Sequence, residues 1–582
     1  MLASKENGVV TVAGDTYTLT FPQDRPFVYV DARNGERVME LFVLSSVHPI
    51  DGRDDTVSTG QWEVEETLDA TLCTLHAASS VWDAKTYRFR CQPERFTYDM
   101  QVEGSARLAE VCYFGGYFSG RPRWGSGFFW SGRHFTQGFN PEPIAEETHY
   151  FAPSSGAHID LQGVPLPGKG DWFFTPPPFC FAFKTTHEWI GMGVEARPGA
   201  HQWTEYRYHA GRGWYLSLSY EGHTATDGAY SLPAIGFDFR ATEHEVLQAH
   251  VAALQTSLAP TPPLLSQPAW WFEPIFCGWG SQFHRALIDG GSAPAYARQS
   301  LYEEFLATLD QHEIMPGIVV LDDKWQTTYG DNEVDESKWP DLRGFIARQH
   351  AAGKKVLLWL KAWDPEGVPL EECVTNAAKV PIAVDPSSEG YARRLRASVR
   401  RMLAPDGYDA DGFKIDFTAR IPSGPGLLKH GEAWGLELMK LLLGTIYSEA
   451  KHVKPNSLIM THTPHPYLAD VLDMIRLNDT LELERLSDPA IGRNMGEVMA
   501  RRARIAAIAC PHAIIDTDNW PVRDRAAWRD YVRLQPELGV PSLYFASHID
   551  ITGEPLEAED YALVRESWAR YRSGPVDTGR DE

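Results

Sequence analysis

The sequence predicts a two-part architecture: an N-terminal antiparallel β-sandwich followed by a (β/α)8 barrel, with little or no C-terminal β domain. Three observations carry this. Short alternating strands fill about the first 255 residues, with almost no helical pattern among them. A Pro-rich stretch follows. After residue 269 the rhythm changes to short apolar runs separated by amphipathic helices. The 582 residues suit two or three domains, and a hydrophobic fraction of 43% supports real cores.

In order along the chain, segments such as VVTVAGDTYTLTF, TYRFRCQPERFTYDMQVEG and GWYLSLSY alternate apolar and polar residues between Gly, Pro, Asn and Asp. Each must bury one face, which a sandwich provides. The helical patch TEHEVLQAHVAALQTSL closes this region, taken as 1–257. LAPTPPLLSQP, 258–268, reads as the linker, because its prolines can neither continue a helix nor join a sheet ladder. The barrel is expected over 269–575 and a tail over 576–582. Its strands read as 274–280, 317–323, 355–363, 412–418, 457–463, 474–479, 513–518 and 542–549. Helical segments such as YARRLRASVRRML and MGEVMARRARIAAIA separate most of them, and the break between the fifth and sixth is the shortest. Eight such units make the barrel count. A doubly wound sheet would want fewer strands and a Gly-rich first turn, and no GxGxxG or GxxxxGK[ST] occurs at a strand end.

Composition excludes several classes of function. A net charge of −24 argues against nucleic acid. Seven scattered cysteines, with no CxxC, argue against a disulfide framework or a structural zinc site. MLASKENGVVTVAGD has no apolar signal core and no long apolar run occurs, so a cytoplasmic protein without a membrane partner is expected. No cofactor is expected. The 19 Trp, 23 Tyr and 27 Phe exceed what cores need and suit stacking on sugar rings.

Barrel active sites lie at the C-terminal strand ends, so the last residues of each strand are the candidates. They are Trp279; Asp322, Asp323 and Trp325; Lys361 and Trp363; Lys414 and Asp416; His462 and His465; Arg476 and Asp479; Asp516, Asp518 and Trp520; Ser547 and His548. Carboxylates across a barrel mouth suit glycosidic chemistry, in which one attacks the anomeric carbon and another protonates the leaving oxygen. Asp416 sits among Phe413, Ile415 and Phe417, where an unpaired carboxylate would be costly. Lys414 points to the same side and can keep it ionised, in a catalytic or a purely structural pair. Asp479 is the acid candidate, or a helix N-cap. Of Asp322 and Asp323, one should reach a sugar and the other the loop, unless one is a turn cap. His462 and His465 are spaced too weakly for a metal site without a carboxylate on the same element, so they are read as polar subsite contacts and no metal is expected. The aromatic run 112–135 is either sandwich core or a loop over the mouth.

The barrel half resembles clan D glycoside hydrolases, most closely the family-36 α-galactosidases and their raffinose-synthase relatives. The matching segments, in order, are FCGWGSQF, VVLDDKWQ with YGD and KWPDLRGFIARQHAAGKKVLLW, GFKIDF, MIRLND and IIDTDNWPVRD. The resemblance covers about 273–550. It implies Asp416 as nucleophile and Asp479 as acid and then base. Lys414 and Arg476 would lie near the reacting centre, Asp322 and Asp323 on the far hydroxyls, and Trp279 against the sugar. Strand five, THTPHPYL, departs from the family's small-residue segment, and little or none of the family's C-terminal β domain is expected. The implied activity is a retaining α-glycoside hydrolase on α-galactosides or related small α-linked oligosaccharides. The alternatives are a raffinose-synthase-type transglycosidase, a retaining α-glycosidase for another sugar, a non-catalytic sugar binder, and a metal-dependent isomerase or aldolase. The expected partner is a small oligosaccharide, and a homo-oligomer is compatible with this reading.

Overall fold

The computed structural model describes residues 2–6, 8–122, 127–129, 137–139, 150–151, 177–210, 214–258, 267–418, 420–477, 495–518, 520, 522, 524–549 and 553–574. Most of the Pro-rich stretch, much of the aromatic run and the C-terminal tail lie outside them.

Among the described residues, two sheets of ten and twelve strands form the N-terminal half. Their pairing is antiparallel except where Tyr117–Phe118 runs beside Asp55–Glu66. Strict alternation drives the layering. Ala84–Cys91 buries every second residue and pairs with Arg95–Glu103 so that Phe89 faces Tyr98. Across neighbouring strands of the larger sheet Phe96 stacks on Phe237 at 4.5 Å, and Tyr17 of the other sheet meets Phe96 edge-on at 5.1 Å. One ion pair lies inside this core: Lys85 Nζ donates to Asp54 Oδ2 at 2.7 Å, with both side chains fully buried. Ser45 O and Thr56 Oγ1 take its other protons.

Helix α1 (Glu243–Ser257) follows. Its start is fixed by a capping box in which Glu245 N donates to Thr242 Oγ1 and Thr242 N to Glu245 Oε2, each at 3.2 Å.

Eight parallel strands then form the barrel: β1 (Ile275–Cys277), β2 (Ile318–Leu321), β3 (Lys355–Lys361), β4 (Gly412–Asp416), β5 (Leu458–Thr461), β6 (Met474–Arg476), β7 (Ile514–Asp516) and β8 (Ser542–Leu543). From β1 to β7 each strand pairs with the next, and β8 pairs with β1. A bridge from Asp516 to Val540, just ahead of β8, nearly closes the ring. All eight fall inside the segments expected from sequence. The ends differ because each strand stops two to six residues early, where the chain turns outward into the mouth loops. Helices α2 (Trp279–Asp289), α3 (Gln299–Gln311), α4 (Leu342–Ala351), α5 (Glu389–Leu403), α6 (Gly435–Val453), α7 (Met495–Ala509), α8 (Arg525–Leu538) and α9 (Ala558–Ser573) surround them. The short break between β5 and β6 holds only a 3-10 turn, Pro466–Val471. Inward positions such as Ile275, Ile318, Leu357, Leu458 and Met474 pack as one apolar cluster. No described helix is long and apolar enough to cross a membrane.

Two glycines set close approaches. A Cβ on Gly412 would lie 2.0 Å from Leu458 O, so the start of β4 can approach β5 this closely only as glycine. Gly435, at φ +55°, opens α6 with its Cα against Trp203 O, where the sandwich touches the barrel.

Candidate active site

The two-residue rhythm of the barrel interior continues upward from apolar to charged residues. Inward positions one step above the apolar cluster are Asp322, Trp359, Lys414, His462, Arg476 and Asp516, with Lys361 and Asp416 one step higher. Trp359 pairs in register with Lys414, and Lys361 with Asp416.

Asp416 ends β4. Its Oδ1 accepts from Phe417 N at 2.8 Å. His462 Nε2 lies 3.3 Å and Arg476 Nη2 3.7 Å from the same oxygen. Among the described residues, Oδ2 accepts only the Trp359 indole N–H, at 3.1 Å. Burial works against the charge, but Arg476 and then His462 and Lys414 overcome it and hold the carboxyl well below the ordinary range. Asp416 is 8% exposed, while Lys414, Arg476 and Asp322 are each 2% and His462 is 0%. The nucleophile candidate is thus the member of this cluster that reaches the mouth.

Lys414 supports it from one step below. Its Nζ donates to Asp322 Oδ2 at 2.8 Å and lies 3.4 Å from both Cys277 Sγ and Tyr544 Oη. The Cys277 thiol also donates to Asp322 Oδ2, at 3.0 Å. Asp322 is therefore the buried counter-ion of Lys414. Asp323, beside it, is half-buried and accepts from Tyr329 Oη at 2.8 Å. Burial first, then Asp322 and Asp416, push its pKa up to about 7, against the pull of Tyr329 and Lys361. Lys361 is half-buried, pairs with Asp364 at 2.9 Å and lies 4.3 Å from the Tyr329 ring centre. Arg476 joins Asp416 to Asp518, whose Oδ2 is 3.0 Å from Nη1. Asp516, below Asp518, is pushed up to about 7 by burial and by Asp518.

Several expected contacts are corrected by the structure. Trp325 is fully buried and donates its indole N–H to Trp359 O at 2.8 Å, so it braces β3. Trp363 is 1% exposed and donates to Thr418 O, fixing the turn after β4. Neither presents a face to the mouth. His465 points away from it, towards the sandwich: Phe179 lies edge-on at 5.9 Å, and the His465 ring nitrogen accepts from Tyr467 N. His462 is too deeply buried to touch a ligand and braces Asp416 instead. Trp279 opens α2 rather than ending β1, half-buried against Trp520. Asp479 lies outside the described residues. Among the described residues no three His, Cys, Asp or Glu side chains converge to hold a metal ion.

The sequence reading missed Trp359, Tyr329, Cys277 and Tyr544. Trp359 was accessible to the same argument that found Lys361, since it lies two residues earlier on one strand. Tyr329 and Tyr544 lie in loops, where no period marks them.

The fold, a barrel preceded by an N-terminal sandwich, is shared with solved glycoside hydrolases at low sequence identity. A GH31 dextranase from Flavobacterium johnsoniae is 12% identical, with a TM-score of 0.51 over 98% of this chain and 68% of that one. The α-galactosidase from Thermus thermophilus is 14% identical (TM-score 0.51; 87% and 99%). An α-galactosidase from Lactobacillus brevis is 11% identical (TM-score 0.52; 98% and 84%). At this distance the likeness is one of fold, and it spans more than the α-galactosidases. No family model matches the chain, and no curated protein matches it in sequence.

Proposed function

We propose that the chain is a retaining α-glycosidase acting on α-galactosides or related small α-linked oligosaccharides. The observation that carries this is the setting of Asp416: it is the most exposed member of its buried cluster, its Oδ1 is held by Phe417 N, His462 and Arg476, and among the described residues its Oδ2 accepts only from the Trp359 indole, while the neighbouring cations favour its ionised form. In the first displacement Oδ2 attacks the anomeric carbon, forming a glycosyl ester as the glycosidic oxygen leaves. Asp479 is assigned the proton for that oxygen and, in the second displacement, the deprotonation of water. Asp323 and Lys361 are assigned to sugar hydroxyls, and Trp279 to the ring face. The fold neighbours that act on α-linked sugars support the same reading.

The test is release of nitrophenol from a panel of aryl α- and β-glycosides, with Asp416→Asn alongside. Wild type should cleave an α-glycoside, the α-galactoside first, and the variant should lose about 10³-fold or more. Cleavage of β-glycosides alone, or an Asp416→Asn enzyme as active as wild type, would refute the assignment.

A further inference from the structure

Helix α2 presents two faces. Trp279 and Phe283 turn towards Trp520, with ring centres 6.0 and 5.7 Å away. Ser281, His284, Arg285 and Ile288, spaced for one face, look the other way. With α3 and the segment after β8 they enclose a cavity of about 140 Å³. Ser547 and His548, which the sequence places at a strand end, line this cavity instead.

His284 is 8% exposed, yet among the described residues neither of its ring nitrogens has a hydrogen-bond partner. Such a group is costly unless something in the cavity bonds it. Its ring stacks on His548 with centres 3.6 Å apart. His548 Nδ1 is bonded to Ser547 Oγ at 2.8 Å. Arg285, from α2, pairs with Glu304 of α3 at the rim. Burial, then His548, then Arg285 lower His284 to about 4, and burial and Arg285 lower His548. Glu304 lines the cavity too and balances Arg285, so the cavity's free bonding capacity lies in two imidazoles that are neutral near pH 7 and can take up a proton as an anion enters. With no three metal-ligating side chains converging among the described residues, a cation is the poorer match.

We propose that this cavity binds a small oxyanion of the sulfate, phosphate or carboxylate kind, held by His284, His548, the Ser547 hydroxyl and Arg285. On binding, one imidazole takes up a proton and both rings donate to the anion. The other possible occupant is water, of which about four or five molecules fill such a volume.

The test is calorimetric titration of the full chain with sodium sulfate, against sodium chloride at matched ionic strength, at pH 6 and 7.5 in buffers of different ionisation heat. Sulfate keeps its charge across this range, so any pH dependence belongs to the protein. The expected result is saturable binding with proton uptake, tightening by up to roughly tenfold per pH unit on acidification. It should be lost in His284→Phe and weakened in His548→Asn, with unchanged circular dichroism. Sulfate behaving as chloride does, or binding unaltered in both variants, would mean that the cavity holds only water.

Discussion

At the scale of the residue, the site depends on how each carboxylate is held. Asp416 and Asp323 share one mouth and are driven in opposite directions. Arg476, His462 and Lys414 hold Asp416 ionised, whereas burial and neighbouring acids push Asp323 up to about 7. If Asp323 must be ionised to bind hydroxyls, kcat/KM will show an acid limb near neutrality. Tyr329 donates to the ionised form, so Tyr329→Phe should move that limb to higher pH and raise KM below it. A pH–rate profile with an unmoved limb would detach Asp323 from substrate binding. The same residues show what the sequence could convey. Lys414, Asp416 and Arg476 stood out because a charge inside an apolar strand demands a reason. Trp325 and Trp363 misled because an indole serves equally as a sugar platform and as a buried N–H donor, and only the finished packing distinguishes the two.

At the scale of the element, strand existence was legible and strand ends were not. An apolar run and its parity survive in the primary structure, but a strand stops where hydrogen-bond partners run out, which depends on its neighbours. The sandwich carries a sharper test of its own. Lys85 and Asp54 are fully buried, and Asp54 Oδ2 also accepts from Val47 N at 2.8 Å. Removing one partner leaves a buried charge unpaired. Lys85→Met should therefore cost about 3–5 kcal/mol in urea unfolding, and Lys85→Met combined with Asp54→Leu should recover much of that. A loss below about 1 kcal/mol in the single variant would show that water reaches the pair.

At the scale of the whole molecule, the sandwich and barrel meet through groups that the sequence could not pair, because His201 lies more than 200 residues from its partners Glu437 and Tyr467. Glu437 of α6 accepts from His201 N at 2.9 Å and from Tyr467 Oη at 2.7 Å. The His201 ring stacks on Tyr467 at 3.7 Å. His201, His250 and His465 are all buried here, and burial lowers each below its ordinary value. For a histidine lowered in the folded state, the unfolded chain binds more protons below pH 6.5, so stability falls as the pH drops below that value. Replacing His250, which stacks on Phe179, with Phe should flatten the decline of Tm between pH 6.5 and 5. An unchanged decline would place the acid sensitivity elsewhere.

The central claim is that Asp416 forms a covalent bond to an α-linked sugar. The direct measurement is intact-mass and peptide mapping of the enzyme after reaction with a 5-fluoro-α-glycosyl fluoride of whichever sugar the aryl panel releases, 5-fluoro-α-galactosyl fluoride first. The account predicts a mass increase of one fluorosugar, located at Asp416 in the peptide spanning residues 412–418. An adduct on another residue, or first-formed product of inverted configuration by proton NMR with no adduct, would contradict it.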